Sequence, residues 1–351
     1  MFGVYPKPEK THCVASNSAS LSLDRLQERV FGEIAPQTPP PSLMQNASPD
    51  HWLQNKRITR TESPQGLPVF ELQGDFGSAR FSTQGAHLME FTPAGQPPLL
   101  FLSKQTALTP GKAIRGGIPV IFPWFGAREG HPESPMHGLV RSRIWEIAEI
   151  EVPEEGPAKV RLTFESNAET LALWPHAFAL SIEFILGEDL AIRWESHNTG
   201  DSAFVFEQAL HPYFPVADVG SASVHGLQNA EFIDKTDAMR IKTDSAEAVS
   251  FAGETDRLYL DTASVLSLED PASLSRIVFA KAGSLSSVVW NPWIAKAAAL
   301  ADLGDEEWRE FVCVEQVNAA RNAVTLPAGE VHIFEARYMR QSTKPATLSE
   351  E

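Results

Sequence analysis

Four stretches of this 351-residue chain gather side chains able to move protons or to hold an oxygen-rich ligand. In Ile114–Gly126 (IRGGIPVIFPWFG), Arg115 precedes the pair Gly116–Gly117 and is followed by Phe122, Trp124 and Phe125. Glycines let a ligand or a second backbone come close, prolines fix an irregular path, and aromatic faces can cover the apolar side of a sugar ring. The segment suits a pocket wall, with Arg115 facing the ligand and with Phe122 and Phe125 in the core. In Met136–Arg141 (MHGLVR), His137 and Arg141 place an imidazole and a guanidinium four residues apart, after a polar loop carrying His131. Taken alone, His137 reads as a loop histidine. His131 and His137 lack a metal-ligand spacing and no nearby acidic or cysteine ligand completes a site, so no metal is expected. In Glu207–Phe214 (EQALHPYF), an alternating strand ends at His211, and Pro212 holds that residue in extended geometry. In Phe311–Gln316 (FVCVEQ), an apolar strand ends in Glu315. That carboxylate is either at a solvent edge or a base whose pKa its surroundings tune.

Such side chains act only if a frame holds them, and the surrounding sequence specifies strands. Val69–Leu72, Val160–Phe164, Phe178–Phe184 and Leu190–Trp194 alternate with period two, as half-buried strands do. Further strands are expected over Phe204–Leu210, Ser264–Leu268, Ile277–Ala280, Ser287–Trp290, Phe311–Glu315 and His332–Tyr338, with turn residues between them. Many short strands at regular spacing predict an all-β fold, an antiparallel sandwich or barrel. Helical periodicity is nearly absent and no Gly-rich strand-to-helix turn occurs, which speaks against a parallel α/β nucleotide-binding enzyme. Large all-β folds exceed the usual length of about 150 residues per domain, so residues 56–342 read as one body. Residues 1–55 form a Pro/Ser-rich arm, in which Ser22–Gly32 has the spacing of a short amphipathic helix docking on the body. Residues 343–351 form a polar tail.

Lys and Arg number 29 against 45 Asp and Glu, a net charge of −16, and no basic run occurs. Nucleic acid is not expected as a partner, because no cation cluster is available to displace its counterions. An anionic ligand must be drawn by a few focused arginines against the mean field. Only Cys13 and Cys313 are present, too few for a disulfide scaffold or a metal knuckle. The chain opens without a basic-then-apolar leader, and no apolar stretch approaches about 18 residues. No membrane contact and a cytoplasmic location are therefore expected.

In combination and in this order, the motifs resemble those of the hexose-6-phosphate mutarotases, or glucose-6-phosphate 1-epimerases, of the galactose-mutarotase-like superfamily. The resemblance rests on IRGGIPVIFPWFG at 114–126, HGLVR at 137–141, LHPYF at 210–214, ETDRLY at 254–259, VVWNPW at 288–293 and FVCVE at 311–315. It spans residues 66 to 340 and leaves the arm outside. It implies a large antiparallel β-sandwich, the superfamily's supersandwich, with a cleft on one face and no cofactor. It further implies His211 and Glu315 as the acid–base pair, His137 and Asp256 as holders of sugar hydroxyls, and Arg115 and Arg141 facing the substrate and its phosphate. Met136 departs from the family, where a polar Gln often stands before the His-Gly pair.

The chemistry so implied needs few parts. A carboxylate can accept the proton of the anomeric hydroxyl while an imidazolium donates to the ring oxygen, and the same pair acts in reverse on closure. Arginines hold a phosphate through planar, bidentate hydrogen bonds. Three other functions use the same residues. An aldose 1-epimerase of neutral sugars does not need Arg115 and Arg141. A non-catalytic sugar-phosphate-binding protein does not need the acid–base positions, which are all occupied. A glycoside hydrolase would pair Asp256 with Glu315 and leave His211 without a role.

Overall fold

Alternation with period two gives each strand one apolar face, and two sheets of such strands bury those faces against each other. In the computed structural model, which describes residues 51–262 and 265–343, this produces a nine-stranded and an eight-stranded antiparallel sheet, together with a four-stranded sheet and a two-stranded ribbon. Cys13 and the helix expected over Ser22–Gly32 lie outside the described residues. The nine-stranded sheet is built around Ser275–Ala282, Val331–Ser342 and Leu190–Asn198. The eight-stranded sheet runs in the order Arg240–Thr243, Glu231–Asp234, Thr255–Leu260, Ser286–Asn291, Phe311–Asn318, Gln208–Leu210 and Val120–Ile121. Tyr213–Pro215 also pairs with Phe311–Asn318.

Side chains of opposite parity on the Phe311–Asn318 region face opposite ways. Phe214 meets Phe279 and Tyr338 of the nine-stranded sheet at ring-centroid distances of 4.6 and 5.3 Å, and the Tyr338 hydroxyl donates to Gln316 Oε1. Truncating a buried ring such as Phe214 to Ala costs about 3–5 kcal/mol through lost transfer energy and the cavity left behind. The alternate residues His211, Tyr213 and Glu315 are thereby left to the other face of the eight-stranded sheet. Two α-helices occur among the described residues, Ala168–Leu173 and Trp293–Ala298, and neither is long and apolar enough to cross a membrane.

Several expected strands run longer, such as Leu190–Asn198 and Val331–Ser342, and two differ in ways that bear on the cavity. Phe204–Leu210 is split: Phe204–Phe206 pairs with Val324–Leu326, whereas Gln208–Leu210 pairs with Phe311–Asn318. Phe311–Glu315 continues to Asn318, so Glu315 lies inside a fully buried strand rather than at its end. Packing also begins before residue 56, since Trp52 is buried edge-on against Phe70 at 5.3 Å. The Gly116–Gly117 pair serves close backbone approach: a Cβ on Gly117, at φ +60°, would lie 2.4 Å from Leu88 O.

Candidate active site

Strand register explains why residues distant in sequence meet. Gln208–Leu210 and Tyr213–Pro215 pair with Phe311–Asn318 in one continuous register, with Leu210 opposite Gln316 and Tyr213 opposite Cys313. Pro212 has no N–H to donate and interrupts the ladder without shifting it. His211 therefore falls opposite Glu315, and His211 Nε2 lies 3.2 Å from Glu315 Oε1. The row continues from Glu315 to Val288 and Leu258. Two residues along, Tyr213, Cys313, Trp290 and Asp256 form a second row on the same face. Lys235, one residue past its strand, extends that row through its N–H bond to Asp256 O at 2.9 Å. Above these rows lies a cavity of about 690 Å³, and Arg115, His137, Arg141, His211, Asp256 and Glu315 all line it.

His211 stacks on Tyr213 at 5.1 Å and meets Trp290 edge-on at 5.7 Å, which fixes its ring plane. Burial pushes the Glu315 carboxyl well above the usual carboxylate range; Lys235 opposes the rise and Asp256 adds to it. Burial likewise pushes His211 well down, and the neighbouring His137 adds to the effect. Both shifts favour the neutral forms of two groups that face each other at 3.2 Å.

His137 occupies the left-handed region at φ +63°, a costly conformation for a residue with a side chain. The surrounding bonds hold it there. Its N–H donates to Gly126 O at 2.7 Å, and its Nδ1 accepts the Gly126 N–H at 3.2 Å. The next residue, Gly138, admits no side chain, because a Cβ would lie 2.0 Å from Phe122 O. With Nδ1 accepting, the ring proton resides on Nε2. Burial, reinforced by Arg141, Lys235 and Arg115, holds the His137 pKa at about 3, which makes it a neutral donor.

The two arginines differ in their engagements. Arg115 Nη1 donates to the Tyr213 hydroxyl at 3.0 Å, while Nε and Nη2 both reach Asp302 Oδ1 at 3.1 Å. The Arg141 side chain makes no hydrogen bond or ion pair among the described residues, although burial pulls its pKa down. Asp256 takes Lys235 Nζ on Oδ1 at 3.2 Å and Lys296 Nζ near Oδ2 at 3.9 Å.

Phe122 is in the core as expected, but Phe125 is half-buried and lines the cavity, with Lys235 Nζ 4.5 Å from its ring centroid. The reason is Glu207, at the break between the two short strands. Its carboxylate accepts the N–H groups of Phe125 and Ala320, each at 2.8 Å, and so ties two loops at the cavity edge. Met136 lines the same cavity and is half exposed. His131 pairs with Glu133 at 3.2 Å on the surface. Among the described residues, no three His, Cys, Asp or Glu side chains gather as a metal site would require. Tyr213 and Trp290 stood in quoted motifs and were recoverable from them. Lys235 and Asp302 lie in ordinary polar sequence and carry no local signal.

The chain thus places a buried His–Glu pair and two arginines around one cavity on a face of the eight-stranded sheet. The chain belongs to the aldose 1-epimerase family, whose model matches residues 68–339, and it is an epimerase. A Cenchrus ciliaris protein named "Putative glucose-6-phosphate 1-epimerase" is 34% identical over 278 residues, 77% of this chain and 83% of that protein. A protein of the same name from Escherichia coli (strain K12) is 36% identical over 264 residues, 74% of this chain and 85% of the other. The crystal structure of "a putative mutarotase" from Salmonella typhimurium is similar at a TM-score of 0.74 and 27% identity, covering 90% of this chain and 99% of that one.

Proposed function

We propose that this epimerase interconverts the α and β anomers of hexose 6-phosphates, with glucose 6-phosphate as the principal substrate. The observation that carries this reading is the 3.2 Å contact between His211 and Glu315 on the floor of a cavity walled by Arg115 and Arg141. The names of the Cenchrus ciliaris and Escherichia coli relatives support the choice of sugar phosphate.

In this reaction Glu315 takes the proton of the anomeric hydroxyl while His211 gives a proton to the ring oxygen. The bond between the anomeric carbon and the ring oxygen breaks, and an aldehyde forms. Rotation about the first carbon–carbon bond presents the other face, and closure reverses both transfers. The pair ends with the one proton it began with. In the neutral pair Glu315 carries that proton, and its transfer to His211 gives the reactive ion pair without exchange with solvent. General acid and general base each contribute about 10²–10⁴-fold. His137, as an Nε2 donor, and Asp256, as an acceptor, hold sugar hydroxyls, and Arg141 and Arg115 draw the phosphate into an otherwise acidic chain.

Anomer-exchange NMR on glucose 6-phosphate, glucose and methyl glucoside tests the assignment. The expected result is fastest exchange for glucose 6-phosphate and no reaction of the glycoside, which has no free anomeric hydroxyl. Equal exchange of glucose and its 6-phosphate would give the neutral-sugar epimerase instead. Cleavage of the glycoside would give a hydrolase, and binding without exchange a sugar-phosphate-binding protein.

A further inference from the structure

Lys235 takes no part in the proton transfers above, yet its placement is unusual. It follows the Glu231–Asp234 strand, whereas Phe125 follows Val120–Ile121 at the other end of the eight-stranded sheet. The Lys235 ammonium nevertheless lies over the Phe125 ring at 4.5 Å and 3.2 Å from Asp256 Oδ1. It therefore sits between Asp256 and the loop that carries Phe125, with only 22% of its side chain exposed. A partly dehydrated ammonium on an aromatic face carries its charge into the cavity with little solvent screening.

We propose that Lys235 is a positioning residue of the epimerase: it fixes the Asp256 carboxylate and supplies the positive charge that lets Glu315 act as the base. This rests on the acid–base reading of the site. Glu315 faces His211 of the paired strand at 3.2 Å, its charge opposes ionisation of Cys313 and Tyr213 beside it, and Asp256 and Lys235 act on it from the strands beyond. Arg115, Arg141 and His137 act on the His211 side. Among these, Lys235 is the cation that opposes burial at Glu315, while Asp256 works against it. The second lysine at Asp256, Lys296, is 2.8 Å from Glu254 and 3.9 Å from Asp256, so its charge is already taken up.

An opposite charge near a buried carboxyl changes its ionised fraction about tenfold or more. Lys235→Met removes the charge and keeps the length of the side chain; Lys235→Arg keeps the charge. The expected result is a fall of about tenfold in kcat for anomer exchange in Lys235→Met, with the alkaline limb of the kcat–pH profile moved to higher pH. Lys235→Arg restores most of the rate and leaves the limb at its wild-type position. If Lys235→Met does not fold, Lys235→Gln carries the same comparison. Wild-type rates without the charge, or equal losses in the Met and Arg variants with an unmoved limb, would reduce Lys235 to a packing contact and overturn the proposal. Glu315→Gln measured alongside separates the two levels of inference. If it keeps the wild-type rate, the acid–base reading fails; if it loses the rate while Lys235→Met does not, the role of Lys235 alone fails.

Discussion

Arg141→Ala removes a cation from the cavity wall without stripping a partner from any other side chain, because the Arg141 guanidinium bonds to none among the described residues. Arg115→Ala is a different perturbation. It also releases the Tyr213 hydroxyl, held at 3.0 Å, and Asp302, held at 3.1 Å, and so disturbs the ring on which His211 stacks. A charge-assisted hydrogen bond to phosphate contributes about 1.5–3 kcal/mol, and about 1.4 kcal/mol corresponds to a tenfold change in affinity. Arg141→Ala is therefore expected to raise KM for glucose 6-phosphate about 10- to 100-fold. Its kcat and its KM for free glucose are expected to change far less. Arg115→Ala is expected to raise the same KM, to lower kcat for both sugars, and to cost about 1 kcal/mol of stability. Saturation-transfer NMR over a concentration series of each sugar gives the kinetic constants, and thermal melts give the stability. The wild-type preference for phosphate should also weaken as salt rises, since the attraction is electrostatic. Equal effects of Arg141→Ala on glucose and glucose 6-phosphate would refute the phosphate role.

Two further expectations concern pH. Burial lowers His211 and raises Glu315, so the pair takes a second proton only well below the usual histidine range and loses its last one well above the usual carboxylate range. The kcat profile should thus have its acidic limb below about pH 6.5 and its alkaline limb well above the usual carboxylate range, and an acidic limb at or above pH 6.5 would contradict the burial of the pair. Away from the cleft, buried Lys281 donates to Thr262 Oγ1, Ser286 O and Ser287 Oγ at 2.7, 2.7 and 2.9 Å, and burial pulls its pKa from 10.5 to about 7. The unfolded chain then binds the proton more readily than the folded one between those values, so stability rises with pH across that window by at most about 1.4 kcal/mol per pH unit. Lys281→Met should remove this increment; urea melts of both proteins showing the same pH slope would contradict it.

The strands were legible because period-two alternation is a local signal, and His211 could be placed because Pro212 acts on its immediate neighbour. The depth of Glu315 was not. Polar residues after it suggest a strand end, but Gln316 bonds to Tyr338 and Asn318 Nδ2 donates to Gly283 O at 2.7 Å, so polar side chains continue a buried strand. Glu207 lies within the expected strand Phe204–Leu210 and carries no signal of its own. Its two N–H partners, Phe125 and Ala320, lie 82 and 113 residues away, and no local pattern reports them. Phe125 shows the same limit, since composition marks an aromatic for burial without saying whether a core or a cleft receives it. Asp256 and Lys235 acquire their meaning from register across the sheet, in the row that runs through Trp290 and Cys313 to Tyr213. Asp256 came from the family resemblance; Lys235 came only from the structure.

The central claim is that His211 and Glu315 move the protons of anomer interconversion. It is tested most directly by the exchange rate of glucose 6-phosphate in Glu315→Gln and His211→Asn, each checked for a wild-type melting profile and for retained sugar-phosphate binding. Glu315→Gln keeps the shape of the native side chain while removing its proton-transfer function, and His211→Asn removes the ring whose Nε2 faces Glu315. The predicted result is a loss of about 10²-fold or more in each, with binding largely intact. A folded Glu315→Gln or His211→Asn protein that exchanges anomers at the wild-type rate would contradict it.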